Sequence, residues 1–87
     1  MSACRIRVHG LVQGVGFRPY VWRLANELGL NGWVRNDGSG VIATVGGEKV
    51  PEFIARLALE APRLARIDGI DSEPAEVTTE GFAILAS

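Results

Sequence analysis

From Arg5 to Leu11 the chain alternates, with Ile6 and Val8 on one side and Arg5, Arg7 and His9 on the other, and this period of two predicts a half-buried strand. A glycine-rich stretch follows, Gly10-Leu11-Val12-Gln13-Gly14-Val15-Gly16-Phe17-Arg18-Pro19, and beyond it the period changes. Val21, Leu24, Ala25 and Leu28 fall at i, i+3, i+4 and i+7, the apolar stripe of a helix over Tyr20 to Leu28. Pro19 suits the first helical position, where its missing N–H costs nothing. Gly29 is placed to end the helix as a left-handed cap, with Leu30 making the accompanying apolar contact. Asn31 to Asn36, with Trp33 and Val34, reads as a second strand, and Asp37-Gly38-Ser39-Gly40 as a hairpin turn into a third strand, Val41 to Val45, that pairs back on the second. Gly46-Gly47 breaks that strand. Val50, Phe53, Ile54, Leu57 and Ala61 form a second helical stripe, with Pro51 in its first turn and Pro62 stopping it. Ala65 to Ser72 predicts a fourth strand around Ile67 and Ile70, Glu73 to Thr79 a polar loop, and Phe82 to Leu85 a last short strand.

The order is β-α-β-β-α-β with a fifth strand at the end. Two helices on one face of an antiparallel sheet is the ferredoxin-like arrangement of the α+β class. At 87 residues the chain makes one domain, residues 1–87, and its 47% apolar content suffices for a core. The end of the chain directly after the last strand is what a domain cut from a longer polypeptide would show. A net charge of −1 argues against a nucleic-acid partner, which favours a basic excess. Cys4 is the only cysteine, so neither an internal disulfide nor a cysteine-based metal site is expected, and no clustered His or carboxylates suggest a metal or cofactor. With no apolar run of membrane-spanning length and no signal peptide, no membrane partner is expected, and the location expected is cytoplasmic.

The chemistry concentrates in the glycine-rich stretch. Glycines between a strand and a helix put bare N–H groups in a tight loop, and at a helix N-terminus those groups and the helix dipole favour an anion. Arg18, where the helix should begin, is always charged and forks two oxygens at once. The obvious occupant is a phosphate. A Walker loop is excluded because no Lys follows any of these glycines, and the dinucleotide fingerprint because its third glycine would fall at Pro19, so the loop suits a single phosphate group. Taken alone, the same residues also fit a plain glycine turn, Arg18 an exposed arginine at a helix start, and Asn36 the first residue of the Asp37-Gly38 turn. Asp37 reads as a turn residue, His9 as a surface histidine, Trp22 and Trp33 as packing residues, and Arg5 and Arg7 as a solvated strand face.

Two separated motifs in register, Gly10-Leu-Val-Gln-Gly-Val-Gly-Phe-Arg18 and Gly32-Trp-Val-Arg-Asn36 with its glycine-rich turn, resemble the acylphosphatase signature. Arg18-Pro-Tyr-Val-Trp22, Asn36-Asp-Gly-Ser-Gly-Val41 and Pro62-Arg-Leu-Ala-Arg-Ile-Asp68 are most similar, within that family, to the N-terminal domain of HypF-type carbamoyltransferases of hydrogenase maturation. The resemblance implies that Gln13, Gly14, Val15, Gly16, Phe17 and Arg18 wrap a phosphate through backbone N–H groups, that the Arg18 side chain forks it, and that Asn36 holds the attacking water. It implies no cofactor in this chain, carbamoyl phosphate as the acyl phosphate substrate, and as partners the remaining HypF-type domains and the protein HypE. A carboxylate or carbamate leaves as an anion without a general acid, which fits a chain with no paired acid and base, and the bound phosphate can take the water's proton. A capture module that binds carbamoyl phosphate without hydrolysing it, and a stand-alone acylphosphatase, share this site. An RNA-recognition module shares the fold, and Gly14-Val-Gly-Phe17 echoes its glycine–aromatic run. That run belongs on a central strand with stacking aromatics, whereas here it falls in a loop.

Overall fold

In the computed structural model, which describes residues 3–38 and 40–85, the opening alternation forms β1 (Ala3–Leu11). It is followed by α1 (Phe17–Glu27), β2 (Asn31–Asp37), β3 (Gly40–Gly46), α2 (Val50–Leu59), β4 (Arg66–Pro74) and β5 (Phe82–Ile84). The strands form one sheet in the order β4-β1-β3-β2-β5. This is the ferredoxin-like arrangement, and the helices cover one face of it. Ile6, Val8, Val34, Ala43 and Val45 of the sheet join Val21, Leu24, Phe53 and Leu57 of the helices in one buried cluster. The other face carries Arg5, Arg7 and His9 on β1 beside Ile42 and Thr44 on β3, residues that pair directly across the ladder at Arg5↔Thr44 and Arg7↔Ile42.

The sheet is mixed. β1 runs antiparallel to β3 and β4, and β2 antiparallel to β3, but β5 lies parallel to β2, with Gly32 opposite Phe82 and Val34 opposite Ile84. The cause is the connection before β5. After Pro74 the chain crosses the lower end of the sheet, where the Ala75 N–H donates to the Ala3 carbonyl (3.2 Å) and Val77 packs on Gly46. It reaches β2 at its start, where the Gly81 N–H donates to Asn31 Oδ1 (2.9 Å) and the Gly81 carbonyl accepts from the Gly32 N–H (2.9 Å). A strand entering there runs the same way as β2.

The helix ends show why local chemistry sets the boundaries. α1 begins at Phe17, ahead of the expected Tyr20, because Gly16 turns left-handed and serves as the N-cap. Pro19 is then the third helical residue, still within the first turn where no N–H has an intrahelical partner. At the other end Gly29 is left-handed (φ 68°), the Leu30 N–H reaches the Ala25 carbonyl (2.8 Å) and the Gly29 N–H the Asn26 carbonyl (3.1 Å), a Schellman pair. Leu30 is buried, as that motif requires. β4 extends two residues beyond the expected Ser72, because Glu73 pairs with Arg5 across the ladder and Pro74, lacking an N–H, ends it.

α1 is tied to α2 by Tyr20. Its ring is 6% exposed, and its hydroxyl donates to the Leu57 carbonyl (2.8 Å) and the Arg56 carbonyl (3.0 Å). Burial, reinforced by the nearby Glu60 carboxylate, pushes the Tyr20 phenol up from 10.0 to about 12. Arg56 also bridges Glu60 of its own helix (2.7 Å) and Glu27 of α1 (2.9 Å), and its hydrogen bond holds the Glu60 carboxyl below the usual carboxylate range.

Candidate active site

The glycine-rich stretch leaves the sheet at a bulge. Pairing of β1 with β4 shifts register between His9 and Gly10, and Gly10 takes φ 131° with a carbonyl so close that a Cβ would lie 2.1 Å from Arg66 O. The bulge turns the chain out of the ladder and toward the helix. The loop that follows is held at both ends by the core, since Val12 and Phe17 are each 1% exposed and the Phe17 ring packs edge-on against Tyr20 at 5.5 Å. Between them Gly14 (φ 73°) and Gly16 (φ 79°) are left-handed, and a Cβ on either would meet nothing within 4 Å. Glycine is demanded there by the backbone conformation and not by crowding, and the space over the loop is open.

The loop carries a row of unpaired backbone donors. Gly16 offers α1 no side-chain cap, and the first turn carries no acidic residue. Among the described residues, the backbone N–H groups of Gln13, Gly14, Val15, Gly16, Phe17 and Arg18 donate to no carbonyl or side chain, and the first bond of the helix is Tyr20 N–H to the Gly16 carbonyl (3.2 Å). Consecutive unpaired N–H groups running into a helix N-terminus concentrate positive potential. Arg18 adds a full charge at the same place. It is half-buried, and its guanidinium makes no ion pair or hydrogen bond with the described residues. A cation left unpaired at the positive end of a helix dipole is unfavourable until an anion occupies the gap.

Asn36 lies at the same end of the sheet. It is opposite Val41, next to the pair Asp37↔Gly40, and Gly40 in turn faces His9 at the end of β1. Its Oδ1 is buried and has no hydrogen-bond partner among the described residues, which leaves an acceptor unsatisfied. The link between the two parts is Gln13. Its side-chain Nε2 donates to the carbonyls of Gly40 (2.8 Å) and Gly38 (3.3 Å), joining the loop to the β2–β3 connection. From sequence alone, Gln13 counts only as a backbone donor. Its side-chain contact spans 25–27 residues and has no local signal. Ser39, part of the expected hairpin turn, lies outside the described residues.

The other singled-out residues have structural surroundings. Asp37 ends β2 and pairs with Arg7 (2.8 Å), His9 pairs with Asp71 (2.8 Å), and Arg5 with Glu73 (3.4 Å), all on the open sheet face. Trp22 donates its Nε1–H to the Phe82 carbonyl (3.0 Å), fastening α1 to β5, and Trp33 lies under the Arg35 guanidinium at 5.7 Å. Cys4, half-buried, faces Val45 at the far end of β1 from the loop. Among the described residues no three His, Cys, Asp or Glu side chains are grouped to hold a metal ion, and no helix is long and apolar enough to cross a membrane. The run Gly14 to Phe17 lies off the sheet with its one aromatic ring buried, so it offers no stacking surface of the RNA-recognition kind.

The chain has relatives among known proteins. A family model described as acylphosphatase matches residues 4–84. The chain is 58% identical over 87 residues to carbamoyltransferase HypF2 of Cupriavidus necator, covering 95% of this chain and 11% of that protein. It is 43% identical over 86 residues to an acylphosphatase of Caldivirga maquilingensis, covering 92% of this chain and 90% of that one. The crystal structure of a full-length HypF in phosphate- and nucleotide-bound form superposes with a TM-score of 0.90 at 38% identity, over 98% of this chain and 12% of that chain. The chain thus spans about a tenth of the length of its HypF relatives and nearly the whole of an acylphosphatase. On the match of residues 4–84 and on these identities, the chain belongs to the acylphosphatase family.

Proposed function

We propose that this chain binds acyl phosphates in the Gln13–Arg18 loop and hydrolyses them to a carboxylate and inorganic phosphate. We further propose that its substrate is carbamoyl phosphate and that it serves as the N-terminal domain of a HypF-type carbamoyltransferase acting with HypE. The observation that carries the reading is the unpaired, half-buried Arg18 guanidinium at an uncapped helix N-terminus preceded by free N–H groups. The identity to HypF proteins supports the finer assignment.

In this reading the phosphoryl oxygens lie against the loop N–H groups and the Arg18 fork. As the P–O bond to the acyl group breaks, its electron pair moves to the departing acyl oxygen while the phosphoryl charge stays spread over the three equatorial oxygens, and donors fixed in advance around that group stabilise the in-line transition state. The Asn36 carboxamide holds the attacking water and aims its oxygen at phosphorus. The new bond is water oxygen to phosphorus, the broken one phosphorus to acyl oxygen, and the acyl group departs as a carboxylate or carbamate anion. The water's proton passes to a phosphoryl oxygen. His9 takes no part, since it faces Asp71 on the open sheet face.

A 31P NMR time course of carbamoyl phosphate and acetyl phosphate with the purified chain tests the proposal. The expected result is inorganic phosphate formed in proportion to protein and lost in Arg18→Ala. Binding without turnover would make the chain a capture module, and no interaction with either compound would end the acyl phosphate reading.

A further inference from the structure

Gln13 stands apart from the rest of the loop because its side chain leaves it. The Gln13 N–H belongs to the row of free donors, while the carboxamide reaches across to the β2–β3 connection and donates to Gly40 O at 2.8 Å and Gly38 O at 3.3 Å. Those two carbonyls follow Asn36 by two and four positions. On the opposite face of the sheet the Arg7 guanidinium holds Asp37 at 2.8 Å. The segment directly after Asn36 is therefore tied from both sides, by Gln13 from the loop and by Arg7 from β1. Apart from Gln13, the loop and the Asn36 segment are related through the β1–β3–β2 ladder and the apolar packing of Val12 and Phe17 in the core that also holds Val34 and Val41. Asn36 Oδ1 makes no hydrogen bond to any described residue, so no polar tie of its own fixes that oxygen, and the carboxamide is placed by the backbone that Gln13 helps to hold.

We infer that Gln13 is a positioning residue for hydrolysis: its carboxamide sets the distance between the phosphate loop and Asn36, and so the line along which the held water meets phosphorus. This rests on the hydrolytic reading of Asn36 given above. In-line attack tolerates little error, and a misplacement of about 1 Å can lower a rate by as much as ~100-fold. The tie bears on the water and not on the phosphate, whose own donors stay in the loop. Its loss therefore shows in kcat with KM and phosphate affinity nearly unchanged, the pattern of a contact made in the transition state.

The test is a double-mutant cycle on acetyl phosphate hydrolysis with wild type, Gln13→Ala, Asn36→Ala and the double variant, each also melted with and without inorganic phosphate. Gln13→Met accompanies them as a variant of similar length that lacks the donors. Gln13 is exposed, so both substitutions leave a folded chain with a near wild-type melting midpoint. The expected result is a kcat lowered on the order of tenfold in Gln13→Ala and Gln13→Met, with the phosphate-induced rise in midpoint retained. The double variant is expected to be no slower than Asn36→Ala alone within about twofold, because Gln13 acts through Asn36. Losses that multiply, a Gln13 variant that also loses its response to phosphate, or one that turns over as wild type would each overturn the inference. Should Asn36→Ala turn over as wild type, the hydrolytic role of Asn36 fails and this inference falls with it. Should Asn36→Ala be slow and both Gln13 variants fast, the inference alone falls.

Discussion

Replacing Tyr20 by Phe tests how the helix behind the Gln13–Arg18 loop is held. The ring stays in the core against Phe17, so no cavity opens, and only the hydroxyl and its bonds to the Arg56 and Leu57 carbonyls are lost. The Arg56 carbonyl keeps the Glu60 N–H at 2.9 Å, whereas the Leu57 carbonyl is left without that donor in a buried position. One net hydrogen bond plus part of the desolvation of a carbonyl comes to about 1.5 kcal/mol. For a domain of this size that lowers the melting midpoint by roughly 6–12 °C at neutral pH. The pH dependence adds a second readout. The phenol titrates at about 12 in the native chain against 10.0 ordinarily, so below pH 10 both states hold the proton and the contribution is complete. Above it the unfolded chain releases a proton that the native chain keeps, and stability falls until the native phenol ionises near 12. Two pKa units correspond to at most about 2.7 kcal/mol. The difference between wild type and Tyr20→Phe should shrink over that interval in thermal melts followed by circular dichroism. Tyr20 is the only tyrosine, so its ultraviolet tyrosinate absorbance reports this one group. Equal midpoints for the two proteins at neutral pH, or native tyrosinate appearing near pH 10, would refute the reasoning.

Asn36→Ala should lower kcat for acetyl phosphate on the order of a hundredfold while leaving the phosphate-induced rise in melting midpoint intact, read by steady-state kinetics and thermal melts on one preparation. Two glycine substitutions should part company. Gly16→Ala, strained by its φ of 79° but uncrowded, should cost about 1–2 kcal/mol, whereas Gly10→Ala, whose Cβ would lie 2.1 Å from Arg66 O, should unfold the chain or melt far lower. Turnover should be unchanged by EDTA, and a loss restored by Mg2+ or Zn2+ would contradict the route in which N–H groups and Arg18 carry the charge.

The parts of this molecule that are local in the chain are legible in its sequence. The stripe Val21, Leu24, Ala25, Leu28 is buried, and Gly29 with Leu30 closes the helix through bonds that reach back only three and five residues. The loop glycines announce a left-handed backbone before a helix, and Arg18 is conspicuous because its charge opposes the dipole it sits on. What the sequence conceals depends on elements distant in the chain. The parallel entry of β5 follows from where residues 75–81 cross the sheet, which no residue pattern encodes. The Gln13 side chain finds its acceptors 25–27 residues away, and Tyr20 finds its own 36–37 residues away. Asn36 occupies a position that turn statistics favour anyway. Its distinguishing mark, a buried oxygen without a donor, exists only once β2 and β3 are paired.

The account turns on whether the row from Gln13 to Arg18 is a phosphate site, and the melting response to inorganic phosphate measures that directly. If it is, phosphate should bind the native loop and not the unfolded chain, whose N–H groups no longer lie together, and a hundredfold excess over Kd should stabilise by about 2.7 kcal/mol. The wild-type midpoint should then rise by roughly 10–20 °C relative to chloride at matched ionic strength. Arg18→Ala removes the forked charge without touching the core. It should melt at or slightly above wild type in chloride, because a cation has left the helix N-terminus, and lose most of the rise in phosphate. Identical responses of wild type and Arg18→Ala to phosphate would mean that Arg18 is not a ligand and that the loop is only a turn between a strand and a helix.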